Sequence, residues 1–305
     1  MTEESRHILV VSHGRRDSVD AAVRVISALR AAGAVPVMTA IDYDELAATV
    51  PEHDPVPALG VDVEVTAIEL AIVLGGDGTI LRAAELVRES AAPVLGINLG
   101  HVGFLAESER DDMDDAVRRV IARDYEVEER LALNVRVKDT SNEVVYETWA
   151  LNEATVEKAS RQRMLEVVIE VDGRPLSSFG CDGVVVSTPT GSTAYNFSAG
   201  GPVIWPTVAA ISVVPLSAHA LFARPLVVGP EHTVAIELLE RSLSIGILWC
   251  DGRRDHELPP GARVVVSRAE KPVRLARLHQ AEFTDRLVQK FHLPVMGWRG
   301  PDQPQ

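Results

Sequence analysis

One carboxylate, Asp77, stands among glycines in the run Leu74-Gly75-Gly76-Asp77-Gly78-Thr79. Glycine permits positive φ and lets a ligand touch the backbone. Free N–H groups at a helix start favour an anion, most often phosphate. A carboxylate in the same place repels phosphate unless a metal or a proton-donating hydroxyl lies between them. Gly75, Gly76, Gly78 and Thr79 therefore read as a phosphate-donor loop, and one Asp held within it suggests phosphoryl transfer to a hydroxyl. The plainer alternative is a strand-to-helix turn in which Asp77 is only the helix N-cap.

Two further constellations could do chemistry. The segment from Asp182 to Tyr195 (DGVVVSTPTGSTAY) runs from an apolar strand into a turn holding six hydroxyls, on Ser187, Thr188, Thr190, Ser192, Thr193 and Tyr195. Such a turn can read a ribose, an amide or a base edge, and Tyr195 could stack on a ring. Alternatively its hydroxyls satisfy their own backbone. In Ala150-Leu151-Asn152-Glu153-Ala154, a polar pair interrupts an apolar strand, where burial demands partners. The bland alternative pairs Glu153 with Lys158 or Arg161. His13, His101 and His219 lie near these motifs and read as loop or core histidines. No Ser-His-Asp arrangement, GxSxG, Walker loop or GxGxxG after the first strand is present.

The elements that must position these groups fall into two halves. Through residue 125, strand signals (His7–Ser12, Val35–Ala40, Ala67–Leu74, Pro93–Asn98) alternate with helix signals at Ser18–Leu29, after Thr79 and near Asp112–Arg123. Gly33 sits where a helix C-cap would, and Pro51–Gly60 is a loop. This rhythm predicts a parallel, doubly wound, Rossmann-like α/β domain over 1–125. From 126 to 280, short strand-like runs separated by Asp139–Asn142, Asp172-Gly173 and Asp251-Gly252 predict an all-β sandwich. The last segment, 281–305, returns to helix, with Phe283, Leu287, Val288 and Phe291 on one face, and is expected to pack back on the first domain.

Composition narrows the function class. The chain has 305 residues, is 46% hydrophobic and carries a formal net charge of −14. That charge argues against a general nucleic-acid or membrane-surface binder, which needs a basic face. Cys181 and Cys250 are too few for a disulfide framework. No stretch approaches the roughly 20 apolar residues of a membrane span. The N-terminal residues lack a signal-peptide pattern, so the expected location is cytoplasmic.

Together these segments resemble the NAD kinases. The matching stretches are GGDGT at 75–79, NLGHVGFL at 98–105, LNEATVEK at 151–158, DGVVVSTPTGSTAYNFSAGGP at 182–202 and HALFARPLVV at 219–228, with a closing LVQKFHLPVMGWRG. GGDGT alone is shared with phosphofructokinases and lipid kinases, whereas TPTGSTAY is specific. The resemblance implies an N-terminal α/β domain, a C-terminal β-sandwich and an active site in the crevice between them. It implies phosphoryl transfer from ATP, or in some members inorganic polyphosphate, to the 2′-hydroxyl of the adenosine ribose of NAD. Asp77 would accept that hydroxyl's proton and Gly78 would lie beside the ribose. Asn152 and Glu153 would contact the dinucleotide. Asp182, Thr193, Ala194, Tyr195, Asn196, Phe197 and Ser198 would wrap its nucleoside portions, with Arg82 and Arg163 as basic neighbours. A divalent metal, Mg2+, would arrive on the donor, because the chain has no carboxylate cluster to cage one. Family members are usually homodimers or homotetramers through the β domain. The chain departs from the pattern at Gly180, where some members carry Arg, and at Arg253, where many carry Gln. Two other functions share features of this sequence: a lipid or small-alcohol kinase with only GGDGT, and a non-catalytic NAD(P)-binding regulator.

Overall fold

The computed structural model describes residues 5–51, 54–100, 103–109, 112–161, 163–221, 223–278 and 283–295. The chain forms two compact units, Met1–Glu129 with Arg274–Gln305, and Arg130–Val273.

In the first unit the chain runs β1 (His7–Val11), α1 (Arg16–Ala31), β2 (Val35–Val37), α2 (Ala40–Thr49), β3 (Ile68–Leu74), α3 (Asp77–Leu86), β4 (Val94–Asn98), β5 (Ser108–Glu109), α4 (Met113–Ala122) and β6 (Glu126–Arg130). It returns at the end with β19 (Val273–Arg277) and α6 (Phe283–Phe291). The sheet order is β2-β1-β3-β4-β19-β6, with β5 beside β4, and the pairs β1–β2, β1–β3, β3–β4 and β4–β19 are parallel. A parallel sheet is covered on both faces, which is why β3 is apolar almost throughout rather than alternating. Leu70, Ile72 and Leu74 join the core with α1 and α4, while Ala71 and Val73 are equally buried outside that cluster. Ile80 of α3 crosses β4 at Gly96, where a Cβ would stand 2.4 Å from Ile80 Cδ1. Glycine there lets α3 lie close to the sheet.

Two features escape a reading by periodicity. Helix α2 has only Asp42 and Leu46 buried, so it shows no apolar stripe. Its signal is a start motif: Thr39 Oγ1 accepts the Asp42 amide and donates to the Asp42 carboxylate. Strand β19 lies inside the 126–280 span assigned to the β domain, yet it pairs with β4, Leu275 opposite Val94. Period alone cannot say which sheet a strand joins.

Among the described residues the second unit holds twelve strands: β7 (Leu133–Lys138), β8 (Val144–Ala150), β9 (Glu153–Lys158), β10 (Leu165–Val171), β11 (Arg174–Cys181), β12 (Gly183–Ser187), β13 (Ile211–Leu216), β14 (Leu226–Val228), β15 (Val234–Leu238), β16 (Gly246–Cys250), β17 (Arg254–Leu258) and β18 (Arg263–Arg268). A one-turn helix, α5 (Tyr195–Ser198), follows β12. The strands form two six-stranded antiparallel sheets, β11-β10-β15-β18-β7-β8 and β14-β13-β12-β9-β16-β17. Alternate residues of both, among them Val135, Val167 and Ile236 from one and Val156, Val184 and Val213 from the other, share one core. This is a sandwich. Asp172 and Gly173 both take positive φ (52° and 73°) in a two-residue hairpin loop, the combination a tight primed turn requires.

Candidate active site

In the first unit the site begins where β3 ends. Gly75 must be glycine: its amide bonds Ile97 O, and a Cβ there would lie 2.6 Å from Thr79 Oγ1 and 3.0 Å from His13 Cδ2. Open space surrounds the missing side chains of Gly76 and Gly78. The first amides of α3, at Asp77 and Gly78, have no acceptor within the helix, as at any helix start. Asp77 is the first helical residue, and the N-cap position is taken by Gly76. Its carboxylate instead accepts the amides of Phe104 (Oδ2, 3.1 Å) and Leu105 (Oδ1, 3.1 Å). Gly103 makes this possible, because a Cβ there would stand 2.4 Å from Asp77 Oδ1. The capping alternative is therefore not the arrangement adopted. Arg82, further along α3, is bonded by one nitrogen to both carboxylate oxygens of Asp42, which is fully buried. His13 lies beside Gly75, and His101 falls outside the described residues.

In the second unit the site gathers at the ends of β9 and β12. Thr188 donates to Leu151 O (2.5 Å) and its own amide bonds Asn152 O (2.9 Å). Gly191 presses on the same carbonyl, where a Cβ would lie 2.0 Å from Asn152 O. Ser192 bonds Pro189 O and the Ile204 backbone, Thr193 bonds Thr190 O, and Thr190 accepts from Arg130. Three of the six hydroxyls, on Thr188, Ser192 and Thr193, thus bond the local backbone, as the backbone-satisfying alternative expected. Tyr195 and Phe197 are 38% and 41% exposed, Ser198 is exposed, and Ala194 leads into α5. Asn196 is buried and donates to Pro202 O (3.1 Å).

Glu153 does not form the ion pair that the bland alternative supposed. Lys158 is bonded to Asp182 instead, which holds that carboxyl below its ordinary range, with Ser217 and His219 adding to the effect. Glu153 is buried, and its Oε2 has no hydrogen-bond partner among the described residues. Burial, and then the nearby Asp251 charge, push its carboxyl up to about 8, although the Tyr195 amide pulls it back. A buried acid with an unused oxygen and a strongly raised pKa is characteristic of functional sites. Asp251, in the turn after β16, accepts the amides of Leu151 (3.0 Å) and Asn152 (2.7 Å) and the Arg254 guanidinium (2.7 Å). The guanidinium lies 4.6 Å above the Trp149 ring. Reading from sequence missed this clamp, whose only trace was the Asp251-Gly252 turn. Arg163 is exposed and donates to Leu243 O at 3.3 Å, and Gly180 O accepts the His219 amide. Among the described residues no group of three or more His, Cys, Asp or Glu converges to hold a metal. No helix of the described residues is long and apolar enough to cross a membrane.

A carboxylate among glycines, at the junction of a central parallel strand and a helix, suits phosphoryl transfer to a hydroxyl. Comparison with known proteins narrows that class. Residues 8–125 match the ATP-NAD kinase N-terminal domain and residues 151–278 the ATP-NAD kinase C-terminal domain. The NAD kinase of Leifsonia xyli subsp. xyli is 68% identical over 298 residues, covering 97% of this chain and 98% of that protein. The NAD kinase of Thermobifida fusca is 56% identical over 301 residues, covering 97% and 92%. The solved yeast NADH kinase, complexed with NADH, shares the fold with a TM-score of 0.85 at 23% identity, covering 96% of this chain and 89% of that one. The chain belongs to the ATP-NAD kinase family and is an enzyme of that family.

Proposed function

We propose that this chain converts NAD to NADP by moving the terminal phosphoryl group of ATP to the 2′-hydroxyl of the adenosine ribose, with Asp77 accepting the hydroxyl proton. The observation that carries this is the Asp77 carboxylate, held at each oxygen by one backbone amide. Each oxygen keeps a lone pair, so the group can orient a hydroxyl without moving itself. In the transfer the O–H bond breaks toward Asp77, the ribose oxygen bonds phosphorus, and the bond to the leaving ADP breaks. The transition state is loose, so positioning and charge neutralisation supply most of the acceleration. The Asp77 and Gly78 amides at the start of α3 bind donor phosphate. A divalent ion, Mg2+ in this reading, belongs to the donor and offsets its negative charge.

NAD is held by the β-unit residues: Asn152, Glu153, Asp182 and the segment Thr193–Ser198. The unused, buried Oε2 of Glu153 supports this assignment, since the ribose hydroxyls and amide groups of a dinucleotide match such a site. Exposed Tyr195 and Phe197 supply ring faces. Arg82 and Arg163 are the weaker members, one engaged by Asp42 and the other bonded, among the described residues, to the Leu243 carbonyl. The edge strands β8, β11, β14 and β17 leave room for a homodimer or homotetramer through the β unit. The two unpaired, buried cysteines suit a reducing cytoplasm.

One assay tests the reading: NADP formed from NAD with Mg2+ and ATP, run beside GTP, CTP, polyphosphate, diacylglycerol and a sphingoid base. We expect NADP with ATP and with several other triphosphates, because backbone amides grip phosphate without reading a base. Phosphate appearing on a lipid alcohol and not on NAD overturns the assignment.

A further inference from the structure

Helix α6 grips the loop that aims Asp77. Arg286, near the middle of the helix, donates through Nη1 to Phe104 O (2.9 Å) and Ala106 O (2.6 Å), and through Nη2 to Glu107 (3.0 Å). Arg277 of β19 donates to Leu105 O (3.2 Å) and to the same Glu107 carboxylate (2.9 Å). The Leu278 amide holds the other oxygen of Glu107 at 3.1 Å, and the Glu107 amide bonds Gly96 O. Phe104 packs between Phe283 and Phe291, with ring centroids 6.0 and 5.7 Å away. Each backbone group from Phe104 to Ala106 that faces this cluster therefore has a partner. The carbonyls go to two arginines, and the Phe104 and Leu105 amides go to Asp77.

We propose that Arg286 is a positioning residue for Asp77, acting through the Phe104–Glu107 segment, so that the C-terminal helix completes the geometry of the phosphoryl-transfer base. This rests on Asp77 having the role given above. Burial opposes a charge on Arg286 and pulls its guanidinium below the usual range. A cation kept in such a place, with three acceptors from one short loop, fixes that loop more rigidly than apolar packing would. A guanidinium fork can reach three acceptors at once, and an ammonium cannot hold the same geometry. Misplacing a catalytic group by about 1 Å costs up to ~100-fold in rate, so partial release of the loop should cost roughly 10-fold.

The test uses the full-length chain with Arg286→Met and Arg286→Lys. Both should lower kcat, by roughly 10-fold for methionine and less for lysine, with KM for NAD and ATP unchanged. In an Asp77→Asn background, Arg286→Met should add no further loss, because both changes act on one group. Amide hydrogen exchange at Phe104 and Leu105 should rise at least ~10-fold in the folded Arg286 variants, while exchange in β1 stays unchanged. If Arg286→Met does not fold, the lysine variant alone decides. Unchanged kcat and unchanged exchange in a folded variant, or losses that multiply in the double variant, overturn the inference. Absence of NADP formation by the unmodified chain overturns the kinase reading instead, and the exchange measurement still decides whether Arg286 controls the loop.

Discussion

The glycine loop of the first unit and the hydroxyl-rich turn of the second both lie at the end of an apolar strand, but they are built from different materials. Around Asp77 the polar work is done by backbone: amides of Phe104 and Leu105 on the carboxylate, glycines at 75, 76, 78 and 103, and a helix start. At the β-unit turn the work is done by buried side chains, with Thr188, Ser192 and Asn196 tying the chain to itself and Glu153 left with an unused oxygen. Backbone donors cannot be titrated and cost no rotamer entropy, which suits a centre that must stay fixed while charge moves. Buried side chains carry protons and shape, which suits recognition, at some loss of stability.

Each side of this contrast can be broken separately. The largest effect is expected at Asp77. Asp77→Asn should preserve the fold and most NAD binding while lowering turnover at least ~100-fold, as loss of a general base does. Near-normal turnover in the folded variant would remove Asp77 from the chemistry.

The second test concerns the buried acid. Glu153 in the folded chain stays protonated up to about pH 8, against an ordinary carboxylate value of roughly 4.3 when unfolded. The folded chain therefore holds a proton that the unfolded chain has lost. That contribution to stability is full below the unfolded value and is lost as pH rises through the folded one. Glutamine has no such proton, so Glu153→Gln should gain stability over the parent progressively between about pH 5 and pH 8. NAD affinity should fall. Melting curves that stay parallel at pH 5 and pH 8 would show that Glu153 is not held protonated.

Gly103→Ala sharpens the backbone side of the contrast. Its Cβ must displace either the Asp77 carboxylate or the loop, so turnover should drop about 10-fold with KM for NAD unchanged. An unaffected kcat would mean that the contact relaxes without moving Asp77. The smallest effect is expected at Tyr195, half-exposed, with its hydroxyl on Glu157 and its phenol pushed up first by burial and then by that carboxylate. Tyr195→Ala should weaken NAD binding by about 1 kcal/mol, the low end for loss of a stacking ring. Unchanged affinity with a lower melting temperature would make it a packing residue.

Much of this molecule was legible in one dimension because its signals are local. The apolar run of β3, the glycines after it and the change from helical to strand rhythm near residue 126 are written in consecutive residues. Local pattern also marked the turns at Asp172-Gly173 and Asp251-Gly252, since positive φ selects residue type. Polar alternation hid β17, and weak amphipathicity hid α2, because neither buries a clear stripe.

By itself the sequence determined that an α/β unit with a glycine-bound carboxylate precedes a β unit with a hydroxyl-rich turn, since strand, helix and turn preferences act over a few residues. Only the tertiary structure decided what those groups touch. It turned the Asp77 carboxylate away from its own helix and onto Phe104 and Leu105, 27 and 28 residues along the chain. It paired Lys158 with Asp182 and left Glu153 buried, with its carboxyl pushed up to about 8. It sent β19 back to the first sheet and laid Arg286 across the 104–107 loop, about 180 residues away in sequence. Hydrogen-bond partners and burial are set by what packs nearby, and contacts at such separations have no signature in local pattern.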